Sequence, residues 1–187
     1  PVREALRRLI AEGLVEGIKH HSPVVRGVGK LMFKQMFEVR AILEGFAARR
    51  AAQHIGISGN AKWVAQQLKF WSGNRIRSDT SFVQANTEFH SGILRIADHE
   101  ILGQQITQLA IPGYKAVFRP IMTDKDIALS CKQHVRVLTA IAEGDARSAE
   151  KIMIDHVMDT SERVTAFYDN ALFDRRLREL ERLKRED

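Results

Sequence analysis

Three histidines and one amide are the side chains of this chain best suited to chemistry. Asn86 and His90 stand four positions apart, so both fall on one helix face beside Val83, Ile93 and Ala97. His134 shares a stripe with Cys131, Leu138 and Ile141, and His156 shares one with Ala149, Ile152, Met153 and Thr160. Imidazole nitrogens and one oxygen donor, projecting from three core-facing stripes, suit a divalent transition ion such as zinc, nickel, manganese or iron. Spacing leaves a second reading open, in which hydrogen-bonded core histidines border a water-filled polar cavity.

Arg40 is next. It lies on the apolar stripe of Phe33, Met36, Phe37, Leu43 and Ala47, where a cation facing inward needs an anionic partner. Glu44, four residues on, supplies one structurally. The carboxylate of a bound effector is the functional alternative. A third cluster opens the chain, where Arg3 and Arg7 share a helix face away from Leu6 and Leu9. Guanidinium groups near the N-terminal end of a helix can reach base edges or phosphates in a DNA major groove, although a solvated basic face has the same layout. His20, His21 and Arg26 follow near a loop tip, where they could touch a DNA backbone or minor groove.

These residues need helices to carry them. Pro1 to Gly13 predicts a short helix, and Leu14–Ile18 with Pro23–Val28 predicts a small β-hairpin. From Leu31 onward the period is helical. The predicted segments are Phe33–His54, Asn60–Trp71, Ser81–Ala97, Glu100–Phe118, Asp124 or Asp126 to Glu143, and a sixth ending near Asn170. Gly144 is expected to stop the fifth and Asp145 to cap the sixth. Pro112 and Pro120 are expected to flank a turn or kink, and residues 175–187 form a mixed-charge stretch. Long segments with short connections predict a mainly all-α fold, an antiparallel bundle of six to seven helices. Among weaker candidates, His54 is expected to be a surface or capping residue near a helix end, Trp63 and Trp71 to lie in the core or an interface, and Cys131 to be a small buried hydrophobe.

Composition limits what the bundle can be. The 187 residues are 44% hydrophobic and 28% charged, a globular balance. A single cysteine excludes an internal disulfide and a cysteine-based zinc cluster, and no apolar run is long enough to span a membrane. A cytoplasmic protein is the expectation. The net charge of +6 permits a nucleic-acid partner without establishing one. Neither a Gly-rich phosphate loop nor a paired-carboxylate signature stands out.

The segment PVREALRRLIAEGLVE resembles the recognition helix and first wing strand of the winged helix-turn-helix in GntR-family transcription regulators. Asn86–His90, His134–Ile141 with Gly144-Asp145, and Met153–His156 resemble the ligand-sensing FCD domain of the FadR-type branch of that family. The resemblance implies residues 1–29 as the back of a winged helix-turn-helix, a recognition helix plus β-hairpin wing whose upstream helices are missing. It implies residues 30–187 as an all-helical effector-binding and dimerisation domain. Metal-binding members hold their ion with an Asp or Asn and three His, which here implies Asn86, His90, His134 and His156. Asn86 stands where Asp is commoner, so the site carries one negative charge fewer. His99 stands where that domain has a turn with Asn.

The function so implied is a ligand-responsive transcription regulator, a repressor and homodimer. Its partners would be double-stranded operator DNA, through Arg3, Arg7, His21 and Arg26, and a small carboxylate effector bound by the metal and Arg40. The alternatives are a metal-dependent hydrolase and a regulator of a larger apolar effector without metal.

Overall fold

The computed structural model describes residues 2–11, 15–16, 23–25, 30–73, 79–109 and 123–168. Among them are seven helices and two short strands. Helix α1 spans Val2–Ala11, and strands β1 (Val15–Glu16) and β2 (Val24–Val25) pair antiparallel, with Val15 opposite Val25. The two β-prone runs pair over two residues each, and Val15 is buried.

Helix α2, Lys30–Gln53, is the centre of the bundle. Its C-terminal half buries Ala41, Ala47, Ala48, Ala51 and Ala52, small side chains that let neighbouring helices approach on more than one side. At Gly45 the approach is tight, for a Cβ there would lie 2.5 Å from Ile154 Cγ1. Met36 and Leu43, expected on the core face, are half-buried, because the buried face turns through Ala41 and Glu44 instead.

Helices α3 (Asn60–Ser72) and α4 (Asp79–Ala97) follow. Asp98 reverses the chain with a φ of 48°, and His99 caps α5 (Glu100–Gln108) by accepting from Leu102 N–H at Nδ1. Helix α5 ends nine residues in, short of the expected Phe118. Residues 110–122, with Pro112, Phe118 and Pro120, lie outside the described part, as does 175–187. His54, expected to be a surface or capping residue of its own helix end, instead sets its Nδ1 3.1 Å from Ile96 O of α4, while Arg50 Nε donates to Ala97 O at 2.8 Å. Both serve the carbonyls left over at the end of α4.

A reciprocal cap, Thr123 with Asp126, starts α6 (Asp124–Ala142). Gly144, at φ 71°, stops it as expected, and Asp145 accepts from Ser148 N–H to start α7 (Ala146–Tyr168). This short turn sends α7 back along α6. Helix α2 packs against α4, α6 and α7, and α3 packs on α6. Phe33, Phe37, Phe82, Phe89, Ile93, Leu138, Ile141 and Met153 fill the core. No described helix is long and apolar enough to cross a membrane.

Candidate metal centre

The three histidines meet inside the bundle. His90 comes from α4, His134 from α6 and His156 from α7, and each offers a nitrogen within 4.8 Å of the others. His134 Nε2 and His156 Nε2 stand 3.2 Å apart. Two nitrogens each about 2.0–2.1 Å from a single zinc ion would be separated by roughly 3 Å, so this pair has the spacing of shared ligands. The His90 and His156 rings stack with centroids 5.5 Å apart.

The surroundings orient the rings. Asp159 can only accept, so Gln133 turns its NH2 to Asp159 Oδ2 at 2.6 Å and its carbonyl oxygen to His156 Nδ1 at 2.9 Å. His156 therefore carries its proton on Nδ1 and presents a lone pair at Nε2. On the other side, His90 Nδ1 lies 2.5 Å from Glu44 Oε2, while Arg40 Nη2 and Nε donate to Glu44 Oε1 at 2.5 and 3.0 Å. Burial alone would raise the Glu44 pKa, but the facing His90 and Arg40 charges outweigh it and hold the carboxyl below its usual range.

His134 is fully buried against Phe89, stacked at 3.9 Å, and against the edge of Trp71 at 4.2 Å. Its Nδ1 has no hydrogen-bond partner among the described residues. Burial, then the neighbouring His156 and His90, push its pKa well below the ordinary value. Burial and His90 likewise push His156 down to about 3. Three imidazoles turned together, with those of His90 and His156 steadied from behind, fit a borderline divalent ion.

Asn86 is half-buried one turn before His90 and lines a small, partly open cavity. Arg40, Ser130, Val157 and Thr160 line it too, along with His90 and His156. The other expected site residues lie elsewhere. Arg3 and Arg7 are exposed on α1, Arg7 3.9 Å from Glu4. His21 and Arg26 fall outside the described residues, with the loop between β1 and β2. Cys131, expected to be buried, is half-buried on the flank of α6.

Sequence reasoning missed Gln133, Asp159, Ser130 and Arg163 as neighbours of this site, and took Glu44 as a partner for Arg40 alone. Only Glu44 left a trace, at four residues from Arg40.

Residues 35–159 match the family model of the FCD domain. The chain is 29% identical over 164 residues to a probable D-xylose utilization operon transcriptional repressor of Paenarthrobacter nicotinovorans, covering 84% of this chain and 69% of that protein. It is 24% identical over 168 residues to the HTH-type transcriptional repressor RspR of Escherichia coli, covering 88% and 72%. Among solved structures it superposes on E. coli McbR/YncC with a TM-score of 0.72 at 20% identity, over 90% of this chain and 81% of that one.

Proposed function

Because this chain belongs to the FCD domain family of GntR-type transcription regulators, we propose that it senses a small carboxylate at a metal centre and so alters operator affinity. One observation carries the reading: His90, His134 and His156 bring ligand atoms within 4.8 Å of one another beside a cavity that Arg40 and Asn86 line. These three histidines with Asn86 would hold zinc, nickel, manganese or iron. A divalent ion there supplies a Lewis-acid dock for a carboxylate oxygen.

The chain's own side chains do the rest. Arg40 stands at the cavity wall with its fork toward Glu44, so an incoming carboxylate competes for part of that fork. Glu44 and Gln133 keep the rings of His90 and His156 turned inward. The ligand shifts the regulator between arrangements only as far as it binds one better than the other. Residues 1–29 serve as the back of a winged helix-turn-helix, Arg3 and Arg7 with His21 and Arg26 contacting operator DNA. Residues 30–187 serve as the sensing and dimerisation domain of a cytoplasmic homodimer on palindromic sites. The names of its relatives support repression as the direction.

Among the described residues, the hydrolase alternative finds no free base beside the histidines. Glu88 is exposed and 3.7 Å from Arg95, and Glu44 is engaged by Arg40 and His90. The relatives are regulators rather than enzymes. An apolar effector without metal would have little use for three converging imidazoles.

The test is elemental analysis of untagged protein beside His134→Ala. About one equivalent of a transition metal, absent from the variant, is expected. A metal-free wild type that also takes up none of the four ions on titration would sink the proposal.

A further inference from the structure

A single carboxylate beside the histidines leaves part of the cavity wall unanswered. Ser130 on α6 and Thr160 on α7 form that part, both buried. Arg163 Nη2 donates to Thr160 Oγ1 at 3.2 Å and to Ser130 Oγ at 3.4 Å. Thr160 gives its own proton to His156 O at 3.1 Å. The Ser130 proton has no acceptor among the described residues, so it is available to a ligand.

Behind these hydroxyls the guanidinium is short of partners. Arg163 Nε and Nη1 are buried without a hydrogen bond among the described residues. The nearest carboxylate, Asp126 Oδ1, is 3.9 Å from Nη1, beyond hydrogen-bond reach, and its other oxygen caps α6. A cation with buried, unmet donors calls for an anion nearby.

The histidine end has a charge surplus of its own. Glu44 is matched by Arg40, and no Asp or Glu is among the described residues lining the cavity. Asn86 is a neutral donor, so a divalent ion held by it and the imidazoles keeps its full charge. With an ion bound, two positive poles would border one small cavity.

We propose that the cavity selects small dicarboxylates over monocarboxylates, one carboxylate docking at the histidine and Arg40 end and the other at the Ser130 hydroxyl backed by Arg163. This rests on the metal-and-carboxylate reading above and names its ligand class.

Calorimetric titration of zinc-loaded protein with malonate, succinate and glutarate, each against the monoacid of equal chain length, tests it. At least one diacid should bind roughly tenfold or more tightly than its monoacid, about the worth of one charge-assisted hydrogen bond. Arg163→Gln should abolish that preference, with zinc content and monoacid binding unchanged. Should Arg163→Gln fail to fold, Ser130→Ala should narrow the preference in the same direction. Equal affinities for every pair, or a preference surviving in Ser130→Ala and in a folded Arg163→Gln, overturns the inference while leaving carboxylate sensing intact. If no acid of either kind binds, carboxylate sensing itself fails and the dicarboxylate inference fails with it.

Discussion

Glu44 and His90 face each other across the contact of α2 and α4, Oε2 2.5 Å from Nδ1, and the same carboxylate receives the Arg40 guanidinium. One buried anion thus fixes both a candidate metal ligand and a candidate effector contact. Glu44→Gln keeps the shape and removes the charge. It should cost about 3 kcal/mol in urea unfolding of metal-free protein, as loss of one partner from a buried pair does. Zinc affinity should also fall roughly 10–100-fold, the usual toll of losing a group that orients a ligand histidine. Unchanged zinc affinity in a folded variant would remove Glu44 from the site.

Gln133 tests the orientation of His156. Gln133→Leu deletes the acceptor for Nδ1–H and should weaken zinc binding by about tenfold or more. Gln133→Glu, which can still accept that hydrogen bond, should retain more affinity than the leucine variant, although it repels Asp159. Nitrogen-15 spectra of the metal-free protein should show His156 protonated at Nδ1 in the wild type and mixed in Gln133→Leu. A wild-type His156 protonated at Nε2 would reverse the assignment.

Acid should destabilise the metal-free fold. His134 and His156 have folded pKa values below the ordinary 6.5, His156 at about 3, so between those values the unfolded chain binds more protons. Their contribution is complete above pH 6.5 and shrinks as pH falls, by up to about 1.4 kcal/mol per unit for each histidine. Glu44 adds to the loss further down, since its lowered pKa makes its contribution present above the ordinary 4.5 and lost as pH drops through the folded value. Denaturant titrations at pH 7 and pH 5 should differ by about 4 kcal/mol, and His134→Phe should roughly halve the difference. Equal midpoints at the two pH values would mean that the imidazoles are already charged or exposed.

Gly92 bears on the scaffold rather than on the site. A Cβ at residue 92 would lie 1.9 Å from Trp63 Cζ2, in the rigid part of the indole. Gly92→Ala should therefore destabilise by about 1–3 kcal/mol, as overpacking does. Trp63→Leu should recover part of that in the double variant, because the two changes share one contact. Simple additivity in thermal unfolding would argue against the contact.

Periodicity exposed the histidines early because each sits on the apolar stripe of its own helix, and helix position is what spacing encodes. The helix stop at Gly144 and the helix start at Asp145 were legible for the same local reason. What spacing could not reveal was pairing between helices. Glu44 meets His90 46 residues later, and its nearer neighbour Arg40 gave it a sufficient local explanation. Gln133 adjoins His134 in the chain, yet consecutive helical residues point about 100° apart, so it reaches α7 from the flank. Cys131 lies on such a flank as well, which is why an apparent core position is half-buried. Arg163 carried no signal in the spacing, and its unmet donors exist only once α6 lies beside α7.

Helix α2 gives the cavity a lever. At 1.5 Å per residue, Lys30 lies about 15 Å along the axis from Arg40, and β2 ends a few residues before Lys30. The far half of the rod is clamped, by Gly45 seated on Ile154 and by Arg50 and His54 on the end of α4. With the fulcrum there, a tilt of roughly 5° at Arg40 displaces the Lys30 end by about 1 Å or more. On the function proposed above, a ligand that drew the Arg40 fork away from Glu44 would act on the short arm, and the Lys30 end of α2 would answer on the long one.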